Sequence, residues 1–225
     1  MSLEKFLVGV YGHVGIFTFI TLLSAQLTIQ LFDSDRLAMI LSSSILMTLF
    51  YVILICVLSE EFYKIRFFCC TMLSSHFGSL LSPVVVYSNY LSPNIFWVAT
   101  FTTLLLFTSC TLYAYLYPKS IKCYGHIIVS SLNTLLLLNV IGFSSFMIFG
   151  DNLFYQLIFD FDTYFGLLLF SMFVAYDTYI CIKMYESGKR DYIMCSLQLY
   201  LDLMNLFVRI LEIVSKKYEK NIKKQ

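Results

Sequence analysis

From Phe67 to Pro118 the chain contains no Asp, Glu, Lys or Arg. A membrane helix uses about 20 predominantly apolar residues, so this run is more than one helix can use and holds two spans. Ser92-Pro93-Asn94 supplies the break, because proline disfavours helix at the residue before it and Asn and Ser favour turns. The rest of the chain agrees: 59% of the 225 residues are apolar and only 13% are charged, with a mean hydropathy of +0.79. An ordinary globular domain has roughly 45–50% apolar and about 25% charged residues. So much apolar side chain cannot be buried in so short a soluble chain. Disorder and a collagen-like chain are excluded for the same reason, and a formal net charge of +1 excludes a nucleic-acid binder.

Charges mark the remaining boundaries. Phe6 to Phe32 is uncharged and too long for the apolar core of a cleavable signal, so it is expected as a retained span. A second run, Leu37 to Leu58, follows Asp33-Ser34-Asp35-Arg36 and ends at Ser59-Glu60-Glu61. A fifth span is expected over Cys123 to Gly150, then an acidic connection formed by Asp151, Asp160 and Asp162, then a sixth span over Thr163 to Ile182. After the basic turn Gly188-Lys189-Arg190 comes a less apolar segment, Tyr192 to Val214, and a lysine-rich tail over 216–225. The expectation is an all-α integral membrane protein of seven hydrophobic helices, six spans and a crossing or re-entrant seventh, forming one polytopic domain over 1–225. If all seven cross, Lys5, Lys64, Arg66, Lys119, Lys122, Lys183, Lys189 and Arg190 share the side that the positive-inside rule makes cytoplasmic. The lysine-rich tail is then the one misfit, and it returns to the cytoplasmic side if the last segment re-enters or if the number of spans differs from this hydropathy count.

A carboxylate at the centre of a membrane helix costs roughly 2.5–3.5 kcal/mol on insertion scales, so an intramembrane acid is a functional candidate by default. Asp177 and Asp202 qualify. In the last segment Gln198, Asp202, Asn205, Arg209 and Glu212 follow one another at spacings of four, three, four and three. They therefore share one helical face, which must meet protein or a water-filled cavity, and the last helix is expected at the centre of the bundle. One assignment makes this stripe hydrogen-bonding glue, with Arg209 paired to Glu212 and Asp202 satisfied by hydroxyls such as that of Thr178. The other pairs Asp177 with Asp202. Two close carboxylates in low dielectric cannot both ionise easily, so one would hold a proton and the pair would titrate as a unit. When ionised, the pair is also a hard oxygen site that calcium could visit transiently.

Other residues offer less. The seven cysteines (Cys56, Cys69, Cys70, Cys110, Cys123, Cys181 and Cys195) lie in or at the ends of spans without a Cys-x-x-Cys, as buried thiols do. His13, His76 and His126 sit on three segments in no zinc-binding pattern and are expected as satisfied buried imidazoles. Tyr87, Tyr90, Tyr113, Tyr115 and Tyr117 are placed as interfacial anchors. Pro83, inside the third span, frees a backbone carbonyl and is either a static kink or a hinge.

Phe173-Val174-Ala175-Tyr176-Asp177-Thr178, Gly188-Lys189-Arg190-Asp191-Tyr192-Ile193 and Leu199-Tyr200-Leu201-Asp202-Leu203-Met204-Asn205-Leu206-Phe207 together resemble the signature of the Bax inhibitor 1 (transmembrane Bax inhibitor motif) family in order, spacing and both aspartates. Weaker similarity at Val10-Tyr11, Arg66 to Pro83 and Thr111-Leu112-Tyr113-Ala114 extends the resemblance over nearly the whole chain. It implies a six- or seven-span protein of the endoplasmic reticulum or a related membrane, with the last helix central. It also implies a pH-sensitive calcium leak, suppression of cell death and, on the pattern of bacterial members, a pH-sensing pair at Asp177 and Asp202. The lysine-rich tail is similar to that of the reticulum-resident eukaryotic branch. An arginine that latches the pair in a bacterial relative has no clear match.

The function expected is a calcium-leak channel or channel-like regulator, not an enzyme. Its associates would be the lipid bilayer, calcium as permeant ion and protons, with no other cofactor. The alternative is a non-conducting anti-apoptotic protein that binds Bcl-2-family or stress-signalling partners. An intramembrane aspartyl protease ranks below both, because that class wants Gly-x-Gly before its second aspartate and Asp202 follows Leu199-Tyr200-Leu201.

Overall fold

A computed structural model describes residues 2–31, 47–55 and 57–223. Among them the protein is helical throughout, with no strand. Helix α1 is Leu3–Leu31, and α2 is helical over 47–55. Then follow α3 (Tyr63–Leu91), α4 (Pro93–Leu116), the one-turn α5 (Pro118–Ile121), α6 (Gly125–Phe149), α7 (Leu153–Glu186) and α8 (Tyr192–Ile222). Among the described residues five segments are long and apolar enough to cross a membrane: α1, α3, α4, the stretch Pro118–Phe149 and α7. Helix α8 is not among them, since its polar stripe and charged end make it strongly amphipathic. The first half of the expected second span, together with Arg36 and Cys56, lies outside the described residues. The protein is thus a multi-pass, all-α membrane protein, and the expected count of seven is met only in part.

Local chemistry explains the helix ends. Pro93 and Pro118 each occupy the first position of a helix, where the missing N–H costs nothing. Gly150 ends α6 with φ of 70° and donates its N–H to Phe146 O at 2.8 Å; Gly188, with φ of 85°, turns the chain after α7. Asn152 Oδ1 accepts the Tyr155 N–H at 2.8 Å and Asp191 Oδ1 accepts the Met194 N–H at 3.0 Å, capping α7 and α8. The Asn152 cap corrects an expectation. Asp160 and Asp162 lie inside α7 and not in a connecting loop, because each has a basic partner that lets the helix carry it. Pro83 also sits within continuous α3. The carbonyl it leaves without a backbone donor is that of Ser79, and the Ser82 hydroxyl fills the vacancy at 2.7 Å.

Two compact units are formed. The first comprises Met1–Pro93 with Ile182–Tyr200, the second Asn94–Cys181 with Leu201–Gln225. In the first unit α1 packs on α3 through small residues: Ser74, Ser75, Gly78 and Ser79 on α3 meet the α1 face that carries Thr21, Ser24, Ala25 and Thr28. Close backbone approach at small residues is how membrane helices gain van der Waals contact. Hydroxyls seal the seam, with Ser24 Oγ donating to Ser75 O at 2.7 Å and Thr28 Oγ1 within 3.2 Å of Ser79 Oγ. Tyr200, fully buried, reaches Thr21 Oγ1 at 2.6 Å, and that oxygen lies 3.1 Å from Ser74 O. Thr21 has one proton to give, so the tyrosine donates to it and Thr21 donates onward to a carbonyl.

In the second unit Ala114, Ile121, Ala175 and Tyr179 form a buried cluster of α4, α5 and α7 residues, and Phe96 meets Phe207 edge to face at 5.8 Å. Helix α8 contributes buried residues to each unit, from Ile193 through Tyr200 to the first and from Asp202 through Leu211 to the second. The five tyrosines placed at interfaces are all exposed. Two smaller expectations are corrected: Cys123, in the turn just before α6, and His126, in the first turn of α6, are exposed. His13 and His76 do have partners, at Tyr63 Oη and Met72 O respectively.

Candidate functional site

The site is built where α7 and α8 run antiparallel in the second unit. Three polar pairs fix that register: Asp177 with Asp202, Asp162 with Arg209, and Asp160 with Lys216. Helix α7 has 34 residues, about 51 Å at 1.5 Å per residue, and so exceeds the roughly 30 Å hydrocarbon core. Asp177 stands nine residues before its end at Glu186, and Asp162 and Asp160 stand near its beginning.

The carboxyl groups of Asp177 and Asp202 face each other. A carboxylate only accepts, so a hydrogen bond joins them only when one of the two carries a proton. Asp177 is half-buried, whereas Asp202 is only 6% exposed. The Oδ2 atom of Asp202 is buried with no hydrogen-bond partner among the described residues. The arrangement can therefore hold one proton between two acids and still presents an unfilled oxygen acceptor, at a position where a free carboxylate would be costly. Among the described residues no group of three His, Cys, Asp or Glu side chains converges to hold a metal ion.

The rest of the stripe is distributed. Gln198 belongs to the first unit, where its Oε1 is buried with no hydrogen-bond partner among the described residues. Asn205 folds back on its own helix and donates to Leu201 O at 2.9 Å. Arg209 does not pair with Glu212. Its Nη1 donates to Asp162 Oδ2 at 2.7 Å and to the Asp162 carbonyl, while Glu212 lies 3.0 Å from Lys216 Nζ. The i, i+3 spacing allowed the expected pair, but a partner on a neighbouring helix satisfies the arginine's planar fork better than a residue on its own.

Sequence reasoning missed a second buried ion pair. Arg66 and Asp191 lie 2.8 Å apart with side chains only 5% and 9% exposed, inside the first unit. A signal for it existed: Arg66 is the last charge before the long uncharged run, and Asp191 the last before the final helix. It also missed the Ser74-x3-Gly78-x3-Ser82 spacing, which is legible without a structure.

The family model described as "Inhibitor of apoptosis-promoting Bax1" matches residues 3–219. Human Bax inhibitor 1 is 32% identical over 151 residues, 66% of this chain and 59% of that protein. The fruit-fly Bax inhibitor 1 (Drosophila melanogaster) is 30% identical over 146 residues, covering 64% of this chain and 56% of its own length. That of Arabidopsis thaliana is 33% identical over 140 residues, covering 62% and 54%. The chain thus spans between half and three-fifths of the curated relatives it matches.

Proposed function

The chain belongs to the Bax inhibitor 1 family, and from that premise we propose that it is a pH-sensitive calcium leak of the endoplasmic reticulum membrane that lowers luminal calcium and so restrains apoptosis. The observation that carries this reading is the proton-dependent contact between Asp177 and Asp202, with the unfilled Oδ2 of Asp202 beside it. While the proton is held, the two helices are joined at that level and the site is neutral enough to stay closed. Loss of the proton leaves two like charges in a low-dielectric setting, which repel each other and attract a divalent cation. The cation is cargo. The protein's own residues supply a charge that appears on deprotonation and helices that it pushes apart.

No bond-making chemistry is assigned to the pair, and the role is not enzymatic. The test is release of calcium from loaded proteoliposomes containing the purified chain. Efflux above that of protein-free vesicles supports the leak, and efflux no greater than theirs overturns it.

A second reading rests on the relatives' name, Bax inhibitor 1, which describes action on Bax. In it the bundle does not conduct and protects cells by binding Bcl-2-family or stress-signalling proteins. Cell protection by a variant that releases no calcium would favour that reading.

A further inference from the structure

Asp162 and Arg209 form a second built station on the same pair of helices, 15 residues along α7 from Asp177 and thus about 22 Å away. Each neighbour contributes to it. Asn139 Nδ2 on α6 donates to Asp162 Oδ1 at 2.7 Å, Arg209 Nη1 binds Asp162 Oδ2 at 2.7 Å, and the guanidinium lies over the Phe170 ring at 5.2 Å. Gly166 makes the room, since a Cβ there would run into the Arg209 guanidinium. The pair is largely buried, at 12% and 16% side-chain exposure. Arg209 also continues the helical face that carries Asp202 and Asn205.

We propose that Arg209 is a tethered cation that occupies Asp162 and so sets how readily free cations pass the α7–α8 seam. The inference rests on the leak reading above. While the guanidinium is bound, both carboxylate oxygens of Asp162 are engaged, Oδ2 by Arg209 Nη1 and Oδ1 by Asn139 together with Arg209 Nη2 at 3.5 Å. A passing calcium ion has to compete with a charge that cannot diffuse away. Arginine suits the task because it stays protonated and grips a carboxylate at two points. The role is one of selectivity and is separate from the proton-holding pair at Asp177 and Asp202.

The two partners carry opposite charges, so the inference predicts opposite signs. Arg209→Gln leaves Asp162 as an open carboxylate and raises calcium efflux from proteoliposomes. Asp162→Asn leaves an uncompensated guanidinium and lowers it. At an effective dielectric constant of about 20 and an approach of about 10 Å, one unit of charge changes the occupancy of a divalent cation on the order of a hundredfold or more. Arg209→Lys, which keeps the charge, raises efflux less than Arg209→Gln. Both single variants moving efflux in the same direction, or neither moving it, would overturn the inference while leaving the leak reading intact. If Asp162→Asn does not fold, Arg209→Gln against Arg209→Lys carries the test, and equal efflux from those two refutes the charge argument. Absence of efflux from the unaltered protein overturns the leak reading, and this inference with it.

Discussion

Gly78→Ala should unseat α1 from α3. A Cβ at position 78 would lie 2.8 Å from Ser24 Cβ and 2.9 Å from Ala25 N, and closer still to the Thr21 carbonyl oxygen. Ordinary contact is about 3.5–4.0 Å, so the helices must part by about 1 Å at that level. Two of the neighbouring groups are backbone atoms, which cannot swing aside as a side-chain tip does. A 1 Å opening takes the 2.7 Å bond from Ser24 to Ser75 O past useful length, and the Thr21 to Ser74 and Thr28 to Ser79 contacts, at 3.1 and 3.2 Å, go with it. Each such bond within a membrane is worth about 0.6 kcal/mol, for a loss of about 2 kcal/mol. Overpacking adds about 1–3 kcal/mol, and the better helix propensity of alanine returns about 1 kcal/mol. The expected net destabilisation is about 2–4 kcal/mol. Gly12→Ala on α1 is the matched control, since a Cβ there meets nothing within 4 Å. Reversible unfolding of the purified protein in mixed micelles, followed by circular dichroism as the denaturing detergent is raised, measures both. A Gly78→Ala midpoint equal to that of Gly12→Ala would refute the close-approach argument.

Breaking the buried Arg66–Asp191 pair on one side, by Arg66→Met or Asp191→Leu, should cost about 3–5 kcal/mol in the same assay, because either change strands a buried charge. Asp191→Leu should be the worse, since it also removes the cap of α8, while the double variant recovers much of the loss; additive losses would show that the two groups do not interact. The antiparallel register that places Lys216 beside Asp160 requires the end of α8 to emerge on the same face of the membrane as the α6–α7 connection. Glycosylation acceptors placed after Lys223 and beside Asp151 should therefore be modified together or not at all, and modification of one alone would contradict the register.

That register shows what was legible in the sequence and what was not. Charge-free runs located α3, α4 and α6 within a few residues, because proline and glycine chemistry at Pro93, Pro118 and Gly150 acts locally. The stripe on α8 was visible as spacing, and its two central predictions, burial and an inward face, follow from the cost of polar groups in lipid. Partner choice was not visible. Asp160 and Asp162 read as loop residues because the basic groups that neutralise them, Lys216 and Arg209, stand more than 40 residues away in sequence. The Arg209–Glu212 pair arises in one of the two assignments for the same reason: spacing along one helix is available to inspection, whereas the facing helix is not. The Arg66–Asp191 pair joins positions 125 residues apart, which no local pattern announces.

The central claim concerns the proton shared by Asp177 and Asp202, and the pH dependence of calcium efflux tests it most directly. In loaded proteoliposomes the unaltered protein should release calcium faster as the pH rises, since deprotonation removes the hydrogen bond and leaves two repelling charges. In Asp177→Asn and in Asp202→Asn an amide takes the place of the titrating donor, so the contact survives at every pH and the pH dependence should flatten. Efflux that keeps the full pH response of the unaltered protein in both variants would contradict the account.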